Sequence, residues 1–212
     1  MTTLKGLHAK MVVGLVRDIF DDKGYVFFDG KKPLNLNMVG VRNASHDATK
    51  FDDMLLLLYR DEKHTAWTVE SYEITTDPGP SILRKPINAA GTAILVPDQY
   101  RSTYVIGTHG GSLRHTAMVQ RKGTVKVYRD TDKDSKPETD GAPVQEGMFG
   151  INIHRHPRAG EKEYVGASSA GCQVFKDSRA FLHFLELCNK SADIYGNSFT
   201  YTLLQEEDFD DG

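Results

Sequence analysis

From residue 25 onward the chain is divided into short segments of three to eight residues, each apolar or alternating in character and each bounded by Gly, Pro, Asn or Asp. Segments this short cannot bury a helical stripe, but they match the length and two-residue period of strands. They fall at 25–28, 34–41, 54–59, 67–74, 92–96, 104–106, 116–120, 125–128, 150–154 and 199–204. Two stretches follow a helical period instead. Leu4, Leu7, Met11, Leu15 and Ile19 recur on one face, with Thr2 or Thr3 as cap and Gly24 as stop, and residues 178–190 place Phe181, Phe184, Leu185 and Cys188 together. The expected fold is α+β: a β-rich core with an N-terminal helix and one late helix. Residues 1–42, read as a helix and hairpin, form an expected extension of a core spanning 43–212.

At 212 residues and 39% apolar content the chain can bury one substantial core. Its net charge is −3 and its Lys and Arg residues are scattered, so no basic field for nucleic acid is expected. The longest apolar run, 54–58, is far too short for a membrane span, and the N-terminus lacks the unbroken apolar stretch of a signal peptide. These features predict synthesis in a reducing cytoplasm, with neither nucleic acid nor membrane as a partner. Two cysteines, Cys172 and Cys188, do not make a disulfide framework. Cys188, on the apolar helix face, is expected to pack; Trp67 and Tyr72 read as core or ordinary surface, and the acidic end, 206–211, as a frayed tail.

The chemistry concentrates between residues 150 and 175. His154 closes the strand-like run Gly150-Ile151-Asn152-Ile153, and Cys172 follows Ser168-Ser169-Ala170-Gly171. A buried cysteine usually behaves as a small hydrophobe. Against that stands a flexible polar approach ending in a glycine, which lets the backbone bend around a ligand and aim peptide N–H groups at a developing oxyanion. A thiol with an ordinary pKa of ~8.5 is mostly protonated at neutral pH, so an imidazole able to take its proton is the usual means of activation.

The residues Gly147-Met148-Phe149-Gly150-Ile151-Asn152-Ile153-His154, then Val165-Gly166, then Ser169-Ala170-Gly171-Cys172-Gln173-Val174, resemble the active-site signature of YkuD-type L,D-transpeptidases. In that family a Gly-rich strand ends in Ile-His, and a Ser/Thr-His-Gly-Cys turn carries the nucleophile ahead of a helix. Cys172 lies eighteen residues after His154, within the family's usual spacing, and the likeness extends over about residues 147–187. The resemblance implies an L,D-transpeptidase-like sheet core and needs no cofactor. It implies that Cys172 attacks a carbonyl of a peptidoglycan stem peptide or cross-bridge while His154 acts as base and then acid. It further implies that the backbone carbonyl of Arg155 orients the imidazole, that the N–H groups of Gly171 and Cys172 serve the oxyanion, and that Ser169 shapes the turn. Asn152 and Ser168, next to these residues, would line the site, and rapid thiol labelling near neutral pH, slowed by His154→Ala, would follow. Three positions depart from the pattern: Ala170 replaces the family's His, Val174 its Arg or Asn, and Arg155 a small residue.

The segments Ile74-Thr75-Thr76-Asp77-Pro78-Gly79, Tyr104-Val105-Ile106-Gly107-Thr108-His109 and Val127-Tyr128-Arg129-Asp130 also resemble uncharacterised proteins of bacteriophages and prophages. A phage lysin made in the cytoplasm reaches the wall through a membrane lesion made by another protein. This likeness therefore implies hydrolysis, with water as acyl acceptor, over cross-linking. A non-enzymatic phage structural or host-interaction protein is the competing class.

The remaining features carry less. His109, in Gly107-Thr108-His109-Gly110-Gly111, reads as a solvent-exposed loop histidine with site lining as the alternative, and His115 is similar. A zinc-dependent hydrolase would use His154, His156 and a loop histidine or Cys172, at a spacing unlike common zinc motifs. Asp130, Asp132 and Asp134 alternate as at the start of a calcium loop, but Ser135 stands at the sixth position and Gly141 at the twelfth. A solvated hairpin loop is the expectation there, with calcium the alternative.

Overall fold

A computed structural model describes residues 4, 6–30, 32–61, 63, 66–110, 114–156 and 159–210. The fold is mixed α+β and rich in sheet. Its strands are β1 (Asn37–Arg42), β2 (Asp53–Arg60), β3 (Trp67–Thr75), β4 (Thr92–Leu95), β5 (Gln99–His109), β6 (His115–Gln120), β7 (Val125–Asp130), β8 (Val144–Gly147), β9 (Ile153–Arg155), β10 (Gln173–Phe175) and β11 (Phe199–Gln205). Helices α1 (Ala9–Lys23), α2 (Pro80–Arg84) and α3 (Ser178–Tyr195) and a 3-10 turn at Glu206–Phe209 complete it. Eight strands close a barrel in the order β1-β11-β5-β6-β9-β10-β3-β2, and β4, β7 and β8 form a separate three-stranded sheet. Closure removes the exposed edges that an open sheet would leave.

The two-residue period sorts the apolar side chains between two cores. In β2, Leu55 and Leu57 join an interior with Met38, Tyr104, Phe175 and Tyr201, while Met54, Leu56 and Leu58 face outward onto Val12, Val13, Val16 and Phe20 of α1. The run at 54–58 is continuous because both its faces are covered. Helix α3 contributes Phe181, Phe184, Leu185 and Cys188 to the interior core, where Tyr72 also packs against Phe175 and Phe184. Asp177 caps this helix, accepting the Arg179 N–H at 2.9 Å.

Several expectations need correction. Residues 37–42 are not part of an appendage: β1 pairs with β2 on one side and with β11 on the other, so it is a barrel stave. Residues 25–28 form no strand, because side-chain amides take the place of a ladder. Phe28 donates to Asn37 Oδ1 at 2.7 Å and accepts from Asn37 Nδ2 at 3.0 Å, and Val26 is held in the same way by Gln99. Helix α1 stops at Gly24 as expected, in the left-handed conformation with φ 69°. Its start is at His8, which makes no side-chain cap, and Thr2 and Thr3 lie outside the described residues. The acidic end is anchored through residue 210 rather than frayed: Phe209 is buried against α1 and Lys23 pairs with Asp208 at 2.7 Å, while Asp211 lies outside the described residues. Among the described residues no helix is long and apolar enough to cross a membrane.

A buried polar cluster ties the barrel to the loop before α2. Arg42 pairs with Asp77 at 3.3 Å and donates to Thr76 Oγ1 and Leu95 O, each at 2.9 Å. Two residues beyond Asp77, the Gly79 N–H donates to Ser169 O at 3.0 Å. This chain of contacts reaches the turn that presents Cys172.

Candidate active site

Gly171 sets the conformation of that turn. Its φ is +109°, and a Cβ there would stand 2.3 Å from Ala93 O and 3.2 Å from Ile151 Cδ1, so only glycine fits between the turn and β4. Ser169, fully buried, donates from Oγ to Cys172 O at 2.8 Å and accepts the Gly171 N–H at 3.2 Å. It therefore braces the turn across its own loop. Ser168 points elsewhere, accepting from Lys162 Nζ at 2.6 Å. Gln173 starts β10 by donating its N–H to Asn152 O at 2.8 Å, and its side chain takes the Tyr201 hydroxyl at 2.9 Å.

The Cys172 sulfur accepts the Asn152 N–H at 3.4 Å and donates to Gly150 O at 3.5 Å. Phe51, Val165 and Val174 pack around it, and the residue is only 9% exposed. Burial pushes the thiol up to about 11, opposed in part by the Asn152 N–H. The approach to β9 is held by one amide: Gln120 Oε1 accepts the N–H groups of Phe149, Gly150 and Ile151 at 3.2, 2.9 and 3.1 Å. Because that side chain satisfies these donors, the expected strand at 150–154 begins only at Ile153.

Strands β9 and β10 are parallel, with Ile153 opposite Gln173 and His154 opposite Val174. Cys172 lies immediately before β10, so it and His154 sit on neighbouring segments, with Val174 of β10 paired to His154. His154 Nδ1 donates to Arg155 O at 2.7 Å, leaving Nε2 as the basic nitrogen by this hydrogen-bond assignment. The imidazole stacks on His109, with centroids 4.1 Å apart and planes 21° apart, and meets His115 edge-on at 5.9 Å. Burial first, and the neighbouring His109 second, pull the His154 pKa down to about 3.

His109 is thus not a solvent-exposed loop histidine. It ends β5 opposite His115 and its Nδ1 accepts from Asn152 Nδ2 at 3.0 Å, while Asn152 Oδ1 accepts the Gln120 N–H at 2.9 Å. Asn152 and His109 form a fixed support behind the His154 ring. His156 is buried and turned to the Gly160 and Lys176 carbonyls, at 3.0 and 2.9 Å from Nε2. Among the described residues no group of three or more His, Cys, Asp or Glu side chains is placed to hold a metal ion. Asp130, Asp132 and Asp134 accept the N–H groups of Glu138, Asp134 and Lys136 and so order their own hairpin loop.

A cleft of about 320 Å³ opens beside the sulfur, lined by Cys172, Ala170, Ile151 and Phe149 on one side and by Ala93 and Arg129 of the small sheet on the other. His154 does not line it and is 5% exposed. No protein-family model, curated protein or solved structure matches this chain. The wall formed by β4 and β7 was not foreseen from sequence, since nothing local links Ala93 or Arg129 to residues 150–175. Chemically, the arrangement offers a thiol lining a cleft and a neutral imidazole on the neighbouring strand. The Gly171 N–H is engaged by Ser169, and the Asn152 N–H donates to the sulfur.

Proposed function

We propose that this protein is a cysteine-dependent acyl-transfer enzyme, L,D-transpeptidase-like in its catalytic pair, acting on peptidoglycan stem peptides or cross-bridges. The observation that carries the reading is the placement of the Cys172 sulfur at a cleft, immediately before the strand that pairs in parallel with that of His154, whose Nδ1 is bonded to Arg155 O. In the reaction Cys172 Sγ attacks the substrate carbonyl while its proton passes to His154 Nε2, directly or through a water. The thioester forms as the amine leaves with that proton, and water then attacks the thioester and restores the thiol. A phage lysin, made in the cytoplasm and released at lysis, fits hydrolysis in preference to cross-linking.

The burial of Cys172 and the neutral state of both groups favour a second reading, a non-enzymatic phage structural or host-interaction protein on the same scaffold. Incubation of purified sacculi with the wild type and with Cys172→Ala separates the two. Release of muropeptides by the wild type alone supports the enzyme. Equal release by both, or none from either, sinks it.

A further inference from the structure

Arg129, on β7, is 5% exposed. Its Nε donates to Gln145 Oε1 at 2.9 Å and its Nη1 to Gly91 O at 3.2 Å, and its guanidinium carbon lies 4.7 Å from the Phe149 ring centroid. All three neighbours are neutral. A buried cation is nearly always held by a carboxylate, because desolvating it alone is costly. Among the described residues no carboxylate pairs with Arg129, and Nη2 has no protein acceptor. The same side chain lines the cleft at Cys172.

The sheet register places its strand beside the Cys172 turn. Ala93 stands directly opposite Arg129 in the β4–β7 pair, and Ala93 O is the atom that a Cβ on Gly171 would strike. Directly opposed residues in such a pair are about 5 Å apart at Cα. The backbone of Arg129 is therefore one strand removed from the Cys172 turn, and its guanidinium reaches Gly91 O and the Phe149 ring, both of residues that line the same cleft. Beyond it the cleft meets a second cavity of about 220 Å³, which shares Asn88 and Gly91 and carries Arg84, Lys85 and Lys133. Among the described residues, no carboxylate lines either cavity.

We propose that Arg129 anchors an anionic group on the substrate, a carboxylate carried by the peptide whose carbonyl Cys172 attacks. The assignment rests on the acyl-transfer reading of Cys172 and adds a requirement for the substrate: a carboxylate within a few ångströms of the reacting carbonyl. The guanidinium supplies a charge-assisted hydrogen bond in a desolvated wall, where such a bond is strongest.

The test uses the intact protein and needs neither peptidoglycan nor turnover. Cys172 is modified at pH 9 with 2-sulfonatoethyl methanethiosulfonate, with its 2-(trimethylammonio)ethyl counterpart of equal reach, and with the neutral methyl reagent. The thiolate attacks the sulfenyl sulfur, methanesulfinate leaves, and the mixed disulfide is located by peptide mapping. In the wild type the anionic reagent should outpace the cationic one by about tenfold or more, as a nearby uncompensated charge requires. Arg129→Gln should bring that ratio to near one and Arg129→Lys should retain most of it, with the methyl reagent reporting any change in access. A wild-type ratio near one, an unchanged ratio in Arg129→Gln, or a Cys172 that resists all three reagents overturns the proposal. A protein inactive on sacculi that keeps the charge preference loses the enzymatic reading but not the anion site.

Discussion

The pKa values of the two central groups dictate how Cys172 responds to pH. The thiol is raised to about 11 and the His154 imidazole lowered to about 3. Moving the proton from sulfur to ring in the resting protein thus opposes a gap of about eight pKa units, or roughly 11 kcal/mol. Even in direct contact, at ~4 Å and an effective dielectric of ~20, attraction between the resulting ions would recover only about 4 kcal/mol. These shifts disfavour a resting thiolate–imidazolium pair, so under the acyl-transfer proposal the proton would move during attack on a bound carbonyl. At pH 7 the thiolate fraction of Cys172 is about 10⁻⁴, against roughly 3% for an ordinary cysteine. Iodoacetamide should therefore alkylate Cys172 roughly 300-fold more slowly than free cysteine at pH 7. The rate should climb tenfold per pH unit toward about 11, read by mass spectrometry of the Cys172 peptide. His154→Ala should leave the slope unchanged, which reverses the sequence-based expectation of rapid labelling at neutral pH. A plateau reached below pH 8 that disappears in His154→Ala would falsify this account, since it requires the ion pair.

The other predictions concern the support of the site. Gly171→Ala must force a side chain into a positive φ and against Ala93 O, so it should lose about 2–4 kcal/mol in urea denaturation and detach Cys172 from its cleft; a loss under 0.5 kcal/mol would show that the turn relaxes freely. His154 is held neutral in the fold but gains a proton when unfolded, so its contribution is present above its unfolded value near 6.5 and is lost as pH falls toward about 3. Wild-type stability should accordingly fall more steeply between pH 6.5 and 4 than that of His154→Gln, and parallel curves would refute the depressed pKa.

Much of the fold was legible because the chain repeats one local rule. Apolar residues recur with a two-residue period between turn formers, and nine of the ten expected segments contain an observed strand. The rule fails where side chains replace backbone partners. Asn37 and Gln99 satisfy residues 26–28, and Gln120 satisfies residues 149–151, so apolar segments with strand character run alongside the sheet without joining it. It also misses β8 and β10, which are too short and too close to turns to show a period, and helix α2, whose five residues begin at Pro80.

The site divides along the same line. Cys172, Gly171, Ser169 and His154 were readable because each acts through near neighbours: a left-handed glycine, a serine bracing its own turn, and an imidazole fixed by the next carbonyl. Arg129 was not, and His109 only as the alternative to an exposed loop residue, because their placement depends on register. His109 reaches the ring of His154 only because β5, β6 and β9 are neighbours in the barrel, and Arg129 reaches the cleft only because β7 lies beside β4 under the Cys172 turn. The consequence is a division of labour between the two sheets. The barrel holds the thiol and imidazole in their neutral forms, and the small sheet carries the one buried charge that faces the same cleft without a carboxylate partner among the described residues. Under the acyl-transfer proposal, a substrate that brings its own carboxylate would pair with Arg129 as it places its carbonyl at the sulfur, so binding and the reaction would depend on the same encounter.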